Sequence, residues 1–105
     1  MQDLLVRMLG NLSASLRIAV RNSQLLDDGG GSDAHSSLVK EFCADRMRET
    51  VAMGRQLVGG NGVVLHNQIA KYLADAEAMF SFEGTREMNT LIVGKAITGH
   101  SAFVR

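Results

Sequence analysis

No proline interrupts the 105 residues of this chain, and its apolar residues recur every three or four positions instead of alternating. Proline breaks helices because it lacks the N–H donor and its ring clashes with the preceding turn. Its absence, combined with helical periodicity, leaves strands no obvious home and predicts an all-α fold. In the first segment Leu5, Met8, Leu9, Leu12, Leu16, Ala19 and Val20 share one face of a helix that runs to about Leu26. That stripe is already in phase at Leu4 and Leu5 with no capping sequence before it, so the segment reads as the inside of a longer, N-terminally truncated helix.

The next punctuation is Asp27-Asp28-Gly29-Gly30-Gly31-Ser32-Asp33, a turn-forming stretch between helices. A calcium loop counted from Asp27 would need a bidentate carboxylate at its twelfth position, where Leu38 stands. Ser32 or Asp33 can cap a second helix with the apolar face Val39, Phe42, Cys43, Met47, Thr50, Val51, Gly54, Leu57 and Val58, ending at Gly59-Gly60. His66 or Asn67 can cap a short third helix carrying Ile69, Ala70, Leu73 and Ala76. Thr85 can cap a fourth, with Met88, Leu91, Ile92, Val93 and Ala96 on its inner side and an end near Gly99. Short connections make neighbours antiparallel, so the expectation is an up-and-down four-helix bundle in which Leu12, Leu16, Phe42, Met47, Leu73, Leu91 and Ile92 are mostly buried.

Charge narrows the function. Eleven Lys and Arg balance eleven Asp and Glu without a basic run, which removes the field that dominates nucleic-acid affinity. No apolar run approaches the ~20 residues that span a bilayer, and the start lacks the order of a signal peptide. A soluble, intracellular protein is expected, cytoplasmic or, in a eukaryote, in the mitochondrial matrix. Cys43 is alone and cannot form an internal disulfide. With His35, His66 and His100 it shows no zinc-site spacing, so no metal is expected. A domain of this length has a modest core and should pack against something else.

Two places can carry chemistry. Glu83 lies between Phe82 and Gly84, just ahead of a helix start. Apolar burial would raise its pKa toward that of a general base, and the helix dipole would lower it. As an ordinary helix-start carboxylate it would contribute only ~0.3–1 kcal/mol, and local sequence alone favours that role. The cluster Gly59-Gly60-Asn61-Gly62 either admits a ligand close to its backbone or makes a tight turn. A helix precedes it, so it is neither a Walker loop nor a dinucleotide fingerprint.

Taken together these stretches resemble the C-terminal helical domain of the flavin-dependent acyl-CoA dehydrogenases. In that family a Q-x-x-G-G-x-G turn precedes a short helix and a Y-E-G-T motif opens the last long one. Here the counterparts are Gln56-Leu57-Val58-Gly59-Gly60-Asn61-Gly62 and Phe82-Glu83-Gly84-Thr85. Glu77-Ala78, the run from Leu91 to Gly99, and Phe103 make the chain most similar to the glutaryl-CoA dehydrogenases within the family. The resemblance implies that Glu83 removes the α-proton of an acyl-CoA thioester while a hydride leaves the β-carbon for FAD. It implies that Gly84 borders the substrate and that Thr85 and Phe103 touch FAD. Gln56, Leu57, Val58, Gly59 and Gly60 would meet the FAD of a neighbouring subunit, in a homo-oligomer that is a tetramer in the complete enzyme. A glutaryl enzyme would go on to lose the distal carboxylate and give crotonyl-CoA. Phe82 departs from the usual tyrosine and Lys71 from a common arginine. The family's N-terminal helical domain, its β-domain and the first part of the C-terminal domain have no counterpart in the sequence. On this resemblance residues 1–105 are a partial domain that holds the base and is inactive alone. The alternative is a non-catalytic helical oligomerisation module.

Overall fold

The computed structural model describes residues 1–82 and 84–101. Among them four α-helices form and no strand does: α1 (Gln2–Asp27), α2 (Asp33–Leu57), α3 (Ile69–Ser81) and α4 (Arg86–Thr98). Two short 3-10 turns, Gly59–Val63 and Leu65–Asn67, fill the connection from α2 to α3. None of the described helices is long and apolar enough to cross a membrane.

The helix ends follow from local chemistry. Ser32 Oγ accepts the His35 N–H at 3.2 Å and caps α2. Thr85 Oγ1 accepts the Met88 N–H at 3.2 Å and caps α4. Gly99, at φ 77°, closes α4 with its N–H on the Lys95 carbonyl at 2.8 Å. α3 begins differently from the expectation. His66 and Asn67 lie inside a 3-10 turn, and α3 is preceded by Gln68 at φ 69° without a side-chain cap. The Asn67 side chain is occupied elsewhere, donating to the Asn61 carbonyl at 3.2 Å and tying the glycine turn to the start of α3.

α2 is the common support, and α1, α3 and α4 each pack on it. α1 and α2 are antiparallel: Met8 lies by Gly54, Asn11 bonds Thr50, and Cys43 donates to the Ser15 carbonyl. The radius of gyration, 16.3 Å, exceeds the ~13 Å of a compact chain of this length. The buried apolar residues among those described are only Ala44, Met53 and Ala76.

The burial expectation therefore fails for several residues. Leu12 and Leu16 are 64% and 62% exposed, and Leu91 and Ile92 are each 37% exposed. Phe42, Met47 and Leu73 are half-buried. The cause on α1 is that the helix has two usable faces. α2 takes the one with Leu4, Met8, Asn11, Ser15, Ile18 and Asn22, all half-buried. Asn11 gains a side-chain bond to Thr50 Oγ1 at 3.1 Å there, and small or polar residues permit a close approach. The leucine stripe Leu5, Leu9, Leu12 and Leu16 points away.

Candidate active site at the α3–α4 connection

The connection between α3 and α4 is held from both ends. At the end of α3, the Lys40 ammonium on α2 donates to the carbonyls of Met79 at 2.9 Å and Phe80 at 3.2 Å. A cation on the last carbonyls of a helix meets the negative end of its dipole and satisfies acceptors that lack intrahelical donors. The same ammonium lies 5.8 Å from the centre of the Phe82 ring, within reach of a cation–π interaction. Arg48, further along α2, bonds Glu77 at 2.7 Å and covers the Phe80 ring at 4.6 Å.

At the start of α4, Asn89 is only 5% exposed. Its amide donates to the Gly84 carbonyl at 3.3 Å and the Thr85 carbonyl at 3.1 Å. Gly84 has φ 98°, a backbone region that costs an L-residue dearly and glycine little. The α4 N-terminus is also joined to α2 through Glu41, which accepts the Thr90 hydroxyl at 3.0 Å and lies 3.8 Å from Arg86. Ser36, Ser37, Lys40, Phe82 and Asn89 line a groove of about 440 Å³ beside this connection. Glu83, the expected base, and Phe103, an expected flavin contact, lie outside the described residues.

The second group of expected residues lies at the other end of α2. Gln56 and Leu57 are its last residues, Val58 is its C-cap, and Gly59 opens the following 3-10 turn at φ 63°. The glycines of this turn have different causes. Gly59 answers to its backbone angle. Gly62 answers to packing, because a Cβ there would lie 2.8 Å from the Arg55 carbonyl oxygen. Gly60 answers to neither: its φ is not positive and a Cβ would have open space. Between Lys40 and Gln56 the helix rises by about 24 Å at 1.5 Å per residue, so the structure keeps Gly84 and Thr85 well apart from the glycine turn.

A family model, the acyl-CoA dehydrogenase C-terminal domain, matches residues 1–98. The chain belongs to the acyl-CoA dehydrogenase family. It is 24% identical over 87 residues to a cyclohex-1-ene-1-carbonyl-CoA dehydrogenase of Geobacter metallireducens, a match over 82% of this chain and 23% of the relative. Its structure is similar to glutaryl-CoA dehydrogenase from Mycobacterium smegmatis, with a TM-score of 0.94 and 27% identity over 98% of this chain and 27% of that one. A second structure described as a glutaryl-CoA dehydrogenase from Mycobacterium smegmatis, in complex with FADH2, gives 0.92 and 29% over the same shares. The chain thus spans about a quarter of the length of these relatives. As a member of this family it has the helical C-terminal fold that its two sequence motifs implied.

The residues that hold the connection were not singled out from sequence. Lys40 falls next to Val39 on the inward side of α2, and Asn89 sits between Met88 and Leu91. A polar side chain beside or within an apolar stripe was the available signal, in Asn89's case four residues after the Thr85 cap. It was masked because a helix can carry such residues at no cost on its rim. Cys43 shows the opposite case: burial pushes its thiol pKa up, partly offset by its hydrogen bond to Ser15. A neutral thiol is a poor nucleophile, so it adds nothing to the site.

Proposed function

We propose that this chain supplies the catalytic base and part of the flavin-facing surface of an FAD-dependent acyl-CoA dehydrogenase that oxidises glutaryl-CoA and decarboxylates it to crotonyl-CoA. The carrying observation is the Phe82-Glu83-Gly84-Thr85 motif on an anchored connection in a chain that resembles glutaryl-CoA dehydrogenase at a TM-score of 0.94. Glu83 takes the proton from the α-carbon of the thioester. The hydride leaving the β-carbon would need the acceptor that FAD would supply in the complete enzyme. Gly84 borders the substrate, and its lack of a side chain leaves room for the acyl group. Phe82, in place of tyrosine, keeps an aromatic wall without a hydroxyl.

Thr85 and Phe103 face one FAD, and Gln56, Leu57, Val58, Gly59 and Gly60 face that of a neighbouring subunit. The open space at Gly60, for which the chain's own fold gives no reason, supports a ligand close to that backbone. The distance between the two groups supports a site shared across subunits. Residues 1–105 act as part of a longer homo-oligomer, a tetramer, and are inactive alone.

Replacing Glu83 with Gln in the complete flavoprotein tests this reading. A positioned general base contributes ~10²–10⁴, so flavin bleaching by glutaryl-CoA after rapid mixing should slow by about a hundredfold or more while flavin stays bound. Equal bleaching rates would remove Glu83 as the base. Tight stoichiometric FAD binding by residues 1–105 alone would refute the partial site. If the natural protein ends at these residues and binds no flavin, the helical oligomerisation module becomes the better reading.

A further inference from the structure

α1 carries two seams that could each take a helix, and its own fold uses one. Met8, Asn11, Ser15, Ile18, Asn22 and Leu25 recur in alternating steps of three and four residues, and all are half-buried on the side that α2 occupies. The same steps started at Leu5 give Leu9, Leu12, Leu16 and Ala19 and, after Ser23, Leu26, and every leucine of this second line is exposed. A mean spacing of about 3.5 residues keeps an apolar line against a second helix coiled alongside, so the free seam is shaped for a helix. Its outer flank, Val6, Ser13 and Val20, carries no charge. On its inner side Leu12, Cys43, Met47 and Val51 border a cleft of about 300 Å³ between α1 and α2, which widens the apolar surface.

The charges on the rim say which helix fits. Asp3 and Arg17 lie on one row of α1 beyond that flank, both exposed and about 21 Å apart along the helix. Asp3 meets Arg7 at 3.9 Å, and Arg17 has no ion pair among the described residues. Gly10 is equidistant from Asp3 and Arg17, and the point between Gly10 and Asn11 is the midpoint of Leu5 and Leu16 and of Leu9 and Leu12. Charges and leucines thus share nearly one centre. We propose that this seam pairs with the same seam of a second copy, antiparallel about that centre. Leu5 then lies against Leu16, Leu9 against Leu12, and Asp3 of each copy faces Arg17 of the other. A two-fold interface needs a patch complementary to itself, and this row of leucines and opposite charges is one. Parallel pairing would oppose Asp3 to Asp3 and Arg17 to Arg17, and like charges select against it. The pairing rests on the homo-oligomer part of the reading above and adds its surface, direction and register.

Sedimentation equilibrium of the 105-residue chain, unmutated and as Asp3→Arg, Arg17→Asp and the double reversal, tests the register. The unmutated chain should dimerise. Each single reversal turns the attractions across the rim into repulsions and should weaken dimerisation by about tenfold. The double reversal restores opposite charges and should return to within about twofold of the unmutated chain. At about 1 M salt, where the Debye length is ~3 Å, all four proteins should converge. Circular dichroism should show equal helix content throughout, and a general loss of fold would not be rescued by the second reversal. A monomeric unmutated chain overturns the pairing and leaves the seam to a different helix. A dimer indifferent to the single reversals, or a double reversal weaker than either, overturns it by placing the interface elsewhere or in another register. In the complete flavoprotein, an oligomer that all three variants leave unchanged would overturn the pairing and keep the homo-oligomer reading, whereas a monomeric complete flavoprotein would remove both.

Discussion

α1 and the α3–α4 connection meet α2 by different physics. α1 lies along it for most of its length on a mixed face, with Met8, Asn11 and Ser15 half-buried, while Leu5, Leu9, Leu12 and Leu16 stay in solvent. The connection touches α2 through a few directional bonds from Lys40 and Glu41, and Asn89 locks it internally. An apolar stripe gives area without fixing a position. Hydrogen bonds at 2.9–3.3 Å fix a position with little area. The first region is therefore suited to being covered by another surface, and the second to fixing the backbone at Gly84 and Thr85.

Full burial of one leucine is worth ~1.5–3 kcal/mol; Leu5, Leu9, Leu12 and Leu16 are 48–64% exposed, so covering what remains of the four is worth roughly half the full sum, near the lower end of the ~5–15 kcal/mol net stability of a whole domain. The largest expected effect follows. Replacing Leu12 and Leu16 together with Asp should weaken self-association of the chain by about a hundredfold or more. Helix content should be kept, since both side chains are more than 60% exposed. Sedimentation and circular dichroism check this. A clean monomer in the unmutated chain at high concentration would break the contrast, because the stripe would then need no cover.

The stripe on α1 also shows what sequence could and could not convey. Periodicity identified four helices, and the caps at Ser32 and Thr85 and the stop at Gly99 were readable because each depends on chemistry within four residues. Which of two faces of α1 turns inward depends on the partner helix, and a leucine stripe outranks Asn11 and Ser15 in any hydrophobic reading. The 3-10 turns before α3 were hidden for a similar reason: they are held by Asn67 reaching Asn61, a contact with no fixed spacing. The family to which the Gln56–Gly62 and Phe82–Thr85 motifs point was legible in the sequence. Lys40 and Asn89 were not: Lys40 meets the last carbonyls of α3, some forty residues along the chain, and Asn89 meets carbonyls at the start of α4, contacts that depend on how the helices pack.

Next in size is the core. Met53 is 5% exposed on the helix that supports the other three, and removing a buried Met side chain costs ~2–5 kcal/mol. Met53→Ala should therefore lower the urea midpoint sharply, whereas Leu5→Ala in the monomeric chain should change the unfolding free energy by less than about 0.5 kcal/mol. Comparable losses in the two variants would show that α1 buries its leucine stripe within the chain.

The two capped starts give a smaller and cleaner comparison. Ser32→Ala and Thr85→Ala each remove one cap bond of 3.2 Å, worth ~0.5–2 kcal/mol. Both should destabilise the chain to a similar degree in denaturant. In the complete flavoprotein only Thr85→Ala should also weaken FAD retention, since Ser32 caps α2 at the α1–α2 turn and Thr85 is the proposed flavin contact. Equal flavin retention in the two variants would remove Thr85 from that role.

The smallest effect belongs to Cys43, at the α1–α2 seam. Burial raises its thiol pKa, with the Ser15 bond pulling the other way and losing. The folded protein therefore keeps the thiol neutral at a pH where the unfolded chain begins to ionise. The resulting stability is fully present below the unfolded thiol pKa and is lost as pH rises through the folded one. Cys43→Ser should flatten the alkaline limb of the stability profile, and a thiol reagent should modify native Cys43 more slowly than a free thiol at the same pH. Alkylation as fast as that of the unfolded chain would mean that α1 opens readily from α2, which would sharpen the contrast, because the stripe-bearing helix would then be loosely seated.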